Sequence, residues 1–258
     1  MTDIKIAAVI PARMASTRHP GKPLIEIQGL PMIEHVRRRA LLCGGFSEVV
    51  VATCNTEILE AVESFGGRVI MTSKEHIMAS DRVAEAALNL ECTHVINVQG
   101  DEILVMPDDL SKMRESIHAH PDGQYWNAIA PIEKPEELAD TTIVKCVIST
   151  SGRILYCARD FSYLNLSPPF KPVHKILGIL GYSKASVLNF SNLKRTDIEK
   201  TQSIDQSRVI ENDLKLFSVP FKRGYPGIND KREEKMVRKI LQSDAEQSIV
   251  LNKILTSF

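Results

Sequence analysis

Short apolar runs alternate with amphipathic segments through the first half of the chain. The apolar runs have the length of buried parallel strands, and they cover residues 4–10, 48–52, 68–71 and 94–98. The segments between them carry apolar residues at helical spacing, and they cover residues 31–42, 56–65 and 79–90. This β-α-β-α alternation predicts an α/β fold with a mostly parallel sheet.

The second half leaves this simple alternation. Residues 143–149 and 154–158 flank the turn Thr150-Ser151-Gly152 and predict a β-hairpin. Residues 163–174 contain three prolines and no periodicity, which predicts a long surface loop. Further strands are predicted at residues 127–132, 176–182 and 215–219, and further helices at residues 108–118, 184–190, 205–212 and 231–241. No internal repeat or linker-like tract interrupts the chain.

Composition excludes several classes of protein. The chain has 258 residues with 32 basic and 32 acidic side chains, so no global charge draws it to nucleic acid or to an anionic membrane. Five cysteines without paired short spacing indicate reduced thiols, and neither a disulfide framework nor a zinc site is expected. The first apolar run is too short for a spanning helix or a signal peptide, so we expect a cytoplasmic protein.

The segment IPARMASTRHPGKPL, residues 10–24, follows the first predicted strand. Its prolines and glycine prevent a long helix, so it should form a loop at the carboxyl end of that strand. Cations, small hydroxyl groups and backbone amides in such a loop suit a polyphosphate. It is not a Walker loop, because Gly21-Lys22 is followed by Pro23, whereas the Walker motif has Ser or Thr at that position. A solvated basic turn is the alternative, and the candidate phosphate ligands are Arg13, Ser16, Thr17, Arg18 and Lys22.

A carboxylate follows the buried strand HVINV. Asp101 comes directly after Gln99-Gly100, at the sheet edge where open α/β proteins bind their ligands. Beside a triphosphate, Asp101 is suited to hold Mg²⁺, which commonly takes one or two carboxylates together with phosphate oxygens. Alternatively, Asp101 caps a turn, and Gln99 contacts either the nucleoside or the local backbone.

The motif blocks along the chain resemble one family. IPARMASTRHPGKPL, GLPMIEHV, HIMASDRVAEA, NVQGDE, VKCVISTSGRILYCAR and LGILGY occur in the order and spacing of the 3-deoxy-manno-octulosonate (Kdo) cytidylyltransferases. The resemblance implies a three-layer nucleotide-diphospho-sugar transferase-like α/β fold with a mixed sheet, and a homodimer formed through an arm inserted in the second half. It also implies one domain, with a nucleotide-binding half at about residues 1–125 and a sugar-binding half at about residues 126–258. CTP, Mg²⁺ and a ulosonic acid sugar are the implied ligands.

Site residues follow from the resemblance block by block. The triphosphate loop falls on the five residues already named, the magnesium ligand on Asp101, and the nucleoside contact on Gln99. The family segment that matches residues 76–82 borders the nucleotide, and it nominates Ser80 and Arg82. For Lys145, a strand position on the solvent face is the alternative. The implied sugar-binding residues are Lys145, Arg159, Asp205 and Gln206.

The chain departs from the family pattern at several positions. His19 replaces a Leu in RLPGK, Ile103 replaces the Pro of QGDEP, and Ile176 and Leu180 replace a His and a Tyr of HLGIYGY. In GINDKREE, Asn229 stands where the family has a second metal-binding Asp. An amide oxygen can coordinate Mg²⁺ but brings no charge, so Asp230 or Asp205 is a candidate to complete the metal site.

The implied reaction is transfer of CMP from CTP to a ulosonic acid for lipopolysaccharide or other surface glycans. The changed sugar-side positions favour a modified acceptor, such as 8-amino-Kdo or another 2-keto acid sugar. Two alternatives stay open at this stage: a nucleotidyltransferase for a different sugar acceptor, and a catalytically silent paralogue that binds nucleotide.

Overall fold

The protein is described from a computed structural model, which covers residues 3–15, 19–76, 78–190 and 192–258. Its strands are β1 Ile6–Ala12, β2 Glu26–Ile27, β3 Leu30–Pro31, β4 Glu48–Thr53, β5 Arg68–Met71, β6 His94–Val98, β7 Tyr125–Pro131, β8 Lys145–Ile148, β9 Ile154–Ala158, β10 Val173–Ser183 and β11 Leu216–Pro220. Its α-helices are α1 Met32–Cys43, α2 Thr56–Ser64, α3 Ala79–Leu88, α4 Pro107–Ala119, α5 Glu136–Ala139, α6 Lys184–Phe190, α7 Asp197–Gln202, α8 Gln206–Glu211, α9 Lys231–Ser243 and α10 Ala245–Thr256.

Within the described residues, nine strands form one mixed sheet whose main path runs β11-β7-β10-β6-β1-β4-β5. Strands β6, β1, β4 and β5 are parallel, as the alternation in the first half predicts. Strand β10 is antiparallel to both β6 and β7, while β11 is parallel to β7. The sheet is therefore mostly parallel with one central antiparallel strand, and the predicted fold class is confirmed.

Two apolar layers cover the sheet. On one face, α1, α2 and α4 pack through side chains such as Val36, Ile58 and Met113. On the other face, α3, α6 and α8 pack through side chains such as Val83 and Val187. The strands between these layers read as continuous apolar runs because both of their faces are buried.

The second half differs from the sequence predictions in several places. The hairpin of β8 and β9 is confirmed, but β8 also pairs with β10 and so joins the main sheet. The predicted surface loop at residues 163–174 is partly wrong, because Phe170 and Val173 are buried against Phe161 in a small separate core. Three helices of the described structure, α5, α7 and α10, were not predicted.

The hairpin region leaves large apolar side chains exposed. Leu155 and Tyr156 on β9 and Tyr163 and Leu164 just beyond it are exposed by 38 to 64%. The inserted dimerisation arm stays a prediction.

In the part of the chain that the structure describes, no helix is long and apolar enough to cross a membrane.

Candidate active site

A cavity of about 290 Å³ lies where β1 and β6 end. These strands are parallel neighbours, so residues 13–15 and residues 99–101 leave the same edge of the sheet. The two loops approach closely at Gly100, where a Cβ atom would lie 2.8 Å from the carbonyl oxygen of Pro11. The cavity is therefore at the strand carboxyl ends, where open α/β sheets bind ligands. Six predicted site or metal residues line it: Arg13, Lys22, Arg82, Gln99, Asp101 and Asn229.

Lys22 is the centre of the charged contacts in this cavity. Its Nζ donates to Asp101 Oδ2 at 2.8 Å and to the carbonyl oxygen of Ile228 at 2.9 Å. Both side chains of the ion pair are less than a fifth exposed, so water screens the pair only in part. The basic loop, the end of β6 and the start of the segment before α9 thus meet at one ammonium group.

The loop after β1 is held by its own backbone. Gly21 has a left-handed φ of 74°, and its N–H donates to the carbonyl oxygen of Met14 at 3.1 Å. A non-glycine residue would be strained in that conformation. The Met14 N–H in turn donates to Asn55 Oδ1 at 3.1 Å, which attaches the loop to the end of β4. Ser16, Thr17 and Arg18, three predicted phosphate ligands, lie outside the described residues.

The start of α3 supplies the opposite wall of the cavity. Arg82 is buried, and its guanidinium donates to the Thr72 hydroxyl and, at 3.4 Å, to the Ser73 carbonyl oxygen. Ser80 is also buried but is not among the lining residues, and among the described residues its hydroxyl finds no hydrogen-bond partner. His76 lines the cavity and is paired with Glu85. It was not nominated from the sequence, although the block HIMASDR contains it.

A second carboxylate lies next to Asp101. Glu102 Oε1 accepts a hydrogen bond from the Gly178 N–H at 2.8 Å, which links the end of β6 to the irregular part of β10. Burial raises the pKa of Glu102 to about 7, and the charge of Asp101 adds to the rise. Among the described residues that line the cavity, one is acidic: Asp101, which pairs with Lys22.

The two candidate metal ligands near α9, Asn229 and Asp230, have different surroundings in the structure. Asn229 lines the cavity, whereas the Asp230 carboxylate caps α9 by accepting from the N–H groups of Arg232 and Glu233 at 2.7 and 2.9 Å. Glu233 returns the contact to the Asp230 N–H, which completes a capping box. One carboxylate oxygen of Asp230, Oδ1, therefore serves the helix, and the role of Asp230 as a metal ligand stays a prediction.

The donor set at the cavity fits a magnesium ion that is held mainly by its substrate. Asp101 offers a carboxylate and Asn229 an amide oxygen, and both are hard oxygen ligands of the kind Mg²⁺ takes. In the described ranges, no group of three or more His, Cys, Asp or Glu side chains could form an all-protein cage. Mg²⁺ usually keeps only one or two carboxylates beside phosphates and water, so this small set is adequate.

The predicted sugar-binding residues are not among those lining this cavity. Lys145 is fully buried, and its Nζ donates to the carbonyl oxygens of Asp140 at 2.7 Å, Ile143 at 3.0 Å and Arg159. The solvent-facing alternative is therefore wrong, and three backbone acceptors surround the ammonium group that was expected to face the acid. The Arg159 guanidinium also donates to backbone, at the carbonyl oxygens of Thr141 and Gln202.

Asp205 and Gln206 lie together at the start of α8, beside β7. The Gln206 amide donates to Asn127 Oδ1 at 2.7 Å, and Asn127 donates to the Leu177 carbonyl oxygen at 3.0 Å. Burial raises the pKa of Asp205 to about 6, and the nearby Glu199 carboxylate adds to the rise. Both residues border a very small cavity together with Leu180, which is itself packed in the core. Asp205 and Asn229 thus border different cavities, and a part for Asp205 in the metal site stays a prediction.

Comparison with known proteins shows which family the chain resembles. The cytidylyltransferase family model matches residues 7–216. A 3-deoxy-manno-octulosonate cytidylyltransferase of Thioalkalivibrio sulfidiphilus is 34% identical over 250 residues, which cover 91% of this chain and 98% of that protein. An 8-amino-3,8-dideoxy-manno-octulosonate cytidylyltransferase of Shewanella piezotolerans is 36% identical over 218 residues, which cover 83% of this chain and 89% of that protein.

A solved structure supports the same relation. The structure of a CMP:2-keto-3-deoxy-manno-octonic acid synthetase complexed with CTP superposes with a TM-score of 0.87 at 32% identity, and the match covers 93% of this chain and 99% of that one. The resemblance inferred from the motif blocks is confirmed, as is the prediction of a nucleotidyltransferase. The chain belongs to the cytidylyltransferase family, in the group of the 3-deoxy-manno-octulosonate cytidylyltransferases.

Proposed function

We propose that the chain transfers CMP from CTP to Kdo or to a close 2-keto-3-deoxy sugar acid, with release of pyrophosphate. The observation that carries the proposal is the cavity in which Arg13, Lys22, Asp101 and Asn229 converge at the ends of β1 and β6. It joins cations for a triphosphate to oxygen ligands for its metal. The named relatives act on Kdo and on 8-amino-Kdo, and these are the two acceptors to test first.

The reaction needs positioning and charge stabilisation more than covalent chemistry. The anomeric hydroxyl oxygen of the acid forms a bond to the α-phosphorus of CTP, the bond to the β-phosphate oxygen breaks, and the hydroxyl proton passes to solvent. Arg13 and Lys22 are the cations suited to stabilise the charge that grows on pyrophosphate. Arg82 and Gln99 border the same cavity and would orient the nucleoside.

Asp101 and Asn229 are the residues that would hold Mg²⁺. When bound, the ion supplies a Lewis acid that neutralises phosphate charge and lowers the pKa of the attacking hydroxyl. Lys22 and Asp101 neutralise each other at 2.8 Å, and magnesium–CTP would offer each of them a partner of higher charge. The cavity is therefore suited to a polyanion together with a dication, because Lys22 and Asp101 each have a partner of opposite charge before these ligands bind.

A matrix of substrates tests the proposal. Pyrophosphate release would be measured with each of CTP, UTP, ATP and GTP against Kdo, 8-amino-Kdo, an acylneuraminate and a sugar 1-phosphate. Each reaction would be run with Mg²⁺ and with excess EDTA. We expect turnover with CTP and one of the first two acids, and loss of turnover in EDTA. Turnover only with a sugar 1-phosphate, or with no acceptor in the matrix, would overturn the proposal.

We also propose a homodimer formed through the region of β9. The support is the exposure of Leu155, Tyr156, Tyr163 and Leu164 within one short stretch of chain, because large apolar side chains exposed on a folded chain mark candidate interfaces. Sedimentation equilibrium of the wild type and of the Leu155→Asp and Tyr163→Asp double variant measures the state. A wild-type monomer, or a double variant that stays dimeric, would contradict this interface.

A further inference from the structure

A histidine in the basic loop is hydrogen-bonded to α9. His19 is 8% exposed, and its Nε2 donates to Glu234 Oε2 at 3.0 Å. Glu234 Oε1 accepts from the Arg238 guanidinium at 2.8 to 2.9 Å, so the carboxylate has two basic partners. The hydrogen bond from His19 holds the pKa of Glu234 below its ordinary value, and Arg238 lowers it further. Glu234 is therefore an ionised acceptor for the imidazole.

The backbone connects His19 rigidly to Lys22. The Lys22 N–H donates to the His19 carbonyl oxygen at 3.2 Å, and the Leu24 N–H donates to the Gly21 carbonyl oxygen at 3.0 Å. With Gly21 in the left-handed conformation, residues 19–24 form one compact turn. A shift of the imidazole would thus move the backbone that carries the Lys22 side chain.

The turn meets the segment before α9 at two separate points. Lys22 Nζ donates to the Ile228 carbonyl oxygen at 2.9 Å, and His19 reaches Glu234 one turn into α9. Between these points lie Asn229, on the cavity, and the Asp230 capping box that fixes the start of the helix. The two contacts therefore set the distance between the phosphate-facing lysine and Asn229.

A hydrophobic side chain at position 19 would fill the same space without this constraint. A leucine, for example, packs without a preferred partner or direction. The imidazole brings a directional bond to a charged acceptor, and such a bond is stronger than one between neutral groups. The bond joins residues 215 positions apart, so local sequence does not require it.

We propose that His19 is a positioning residue for the nucleotide: through Glu234 it fixes the 19–24 turn against α9, and so holds Lys22 in place for the triphosphate of CTP. The inference rests on the proposed function of the cavity. It assigns to His19 no contact with substrate, and it predicts that the His19–Glu234 bond matters for CTP and not for the sugar acid.

Four single variants and one double variant test the inference. His19→Leu and Glu234→Met remove the bond, and His19→Gln keeps an N–H donor near the place of Nε2. Arg238→Met is the matched control, because it removes the other partner of Glu234 and leaves the bond to His19. The double variant His19→Leu with Glu234→Met reports whether the two residues act as one unit. Calorimetric titration with magnesium–CTP gives Kd, and steady-state kinetics give KM for CTP and for the acid separately.

The expected result is selective for the nucleotide. His19→Leu and Glu234→Met should each raise Kd and KM for CTP by roughly tenfold, the size expected for one bond to a charged group. KM for the acid should stay within about twofold, since the hydrogen bond removed lies on the phosphate side of the cavity. His19→Gln should recover most of the CTP affinity, Arg238→Met should resemble wild type, and the double variant should be no worse than the single variants.

Several outcomes would overturn the inference. They are wild-type CTP affinity in His19→Leu, losses that add in the double variant, or an Arg238→Met defect equal to that of Glu234→Met. If His19→Leu does not fold by circular dichroism, His19→Gln and Glu234→Met still carry the test. Wild-type turnover is measured first: its absence with every acceptor is a failure of the proposed function, whereas CTP binding tests the role of His19 by itself.

Discussion

The cavity at the ends of β1 and β6 and the predicted sugar residues form two polar regions that are built differently. In the cavity, Lys22 and Asp101 neutralise each other at the surface of an open space. In the other region, Lys145 and Arg159 donate to backbone carbonyl oxygens of their own chain. The first pair can exchange one partner for a ligand, while the second pair already stabilises the fold.

The difference concerns what a substrate must displace. A triphosphate that binds Lys22 replaces one carboxylate, and Asp101 is then released to a cation, so no charge is left without a partner. An acid that binds Lys145 would have to separate a buried ammonium from three carbonyl oxygens, and each unsatisfied oxygen costs free energy. We therefore expect catalysis to depend on the first region and stability on the second.

The largest expected effect is that of Asp101→Ala. Loss of the carboxylate removes the charged oxygen ligand of the cavity, and kcat should fall on the order of 10³-fold, comparable to the loss of a group that stabilises the transition state. Kd for CTP should change far less, because Arg13 and Lys22 remain. Pyrophosphate release and calorimetry measure the two quantities. Asp108→Ala, an exposed position in the first turn of α4, is the control. Retention of a tenth or more of wild-type kcat would contradict the role of Asp101.

Lys145→Met should act on stability instead. The variant leaves three partly buried carbonyl oxygens without their donor, and the free energy of unfolding should fall by about 1 to 3 kcal/mol. Urea unfolding measures this loss, and KM for the acid should change little in the folded enzyme. Lys184→Met is the matched control, because the Lys184 ammonium has one such bond, to the Leu90 carbonyl oxygen. A large rise in KM for the acid with unchanged stability would show instead that Lys145 contacts the substrate.

The same contrast explains what the sequence could predict. The basic loop and Asp101 could be placed because both follow buried strands, and neighbouring parallel strands bring their ends together. The partners of Lys145 could not be predicted, since the carbonyl oxygen of Arg159 approaches it only through the β8–β9 hairpin and that of Asp140 only through the fold of the segment before β8. Backbone acceptors also have no signature in the side-chain sequence.

Two helix starts did have a signal in the sequence. Asp230 followed three residues later by Glu233 is the pattern of a capping box, and it indicates the helix start that the structure has there. Asp244 before the apolar positions of residues 245–256 likewise marks α10, where its carboxylate caps the helix by accepting from the Gln247 N–H. The capping pattern was present in the sequence at both places. Asp230 was considered as a metal ligand instead, and no helix was predicted at Asp244.

The smallest expected effect is a pH dependence of stability that comes from Asp205, in the region of the predicted sugar residues. Burial raises the pKa of this carboxyl from 3.8 to about 6, so the native state binds more protons than the unfolded state between these values. Stability contributed by the protonated form is therefore present below about pH 4 and is lost as the pH rises through 6. After a discount for partial exposure, the loss should be about 1 to 2 kcal/mol.

Asp205→Asn tests this linkage, because the amide has the same shape and stays neutral. The free energy of unfolding of the variant minus that of wild type should be smallest near pH 4 and should increase up to about pH 7, as measured by urea unfolding at each pH. A difference that does not vary with pH would mean that water already solvates the Asp205 carboxylate. In that case Asp205 would belong with Asp101 among the carboxylates that are open to a ligand.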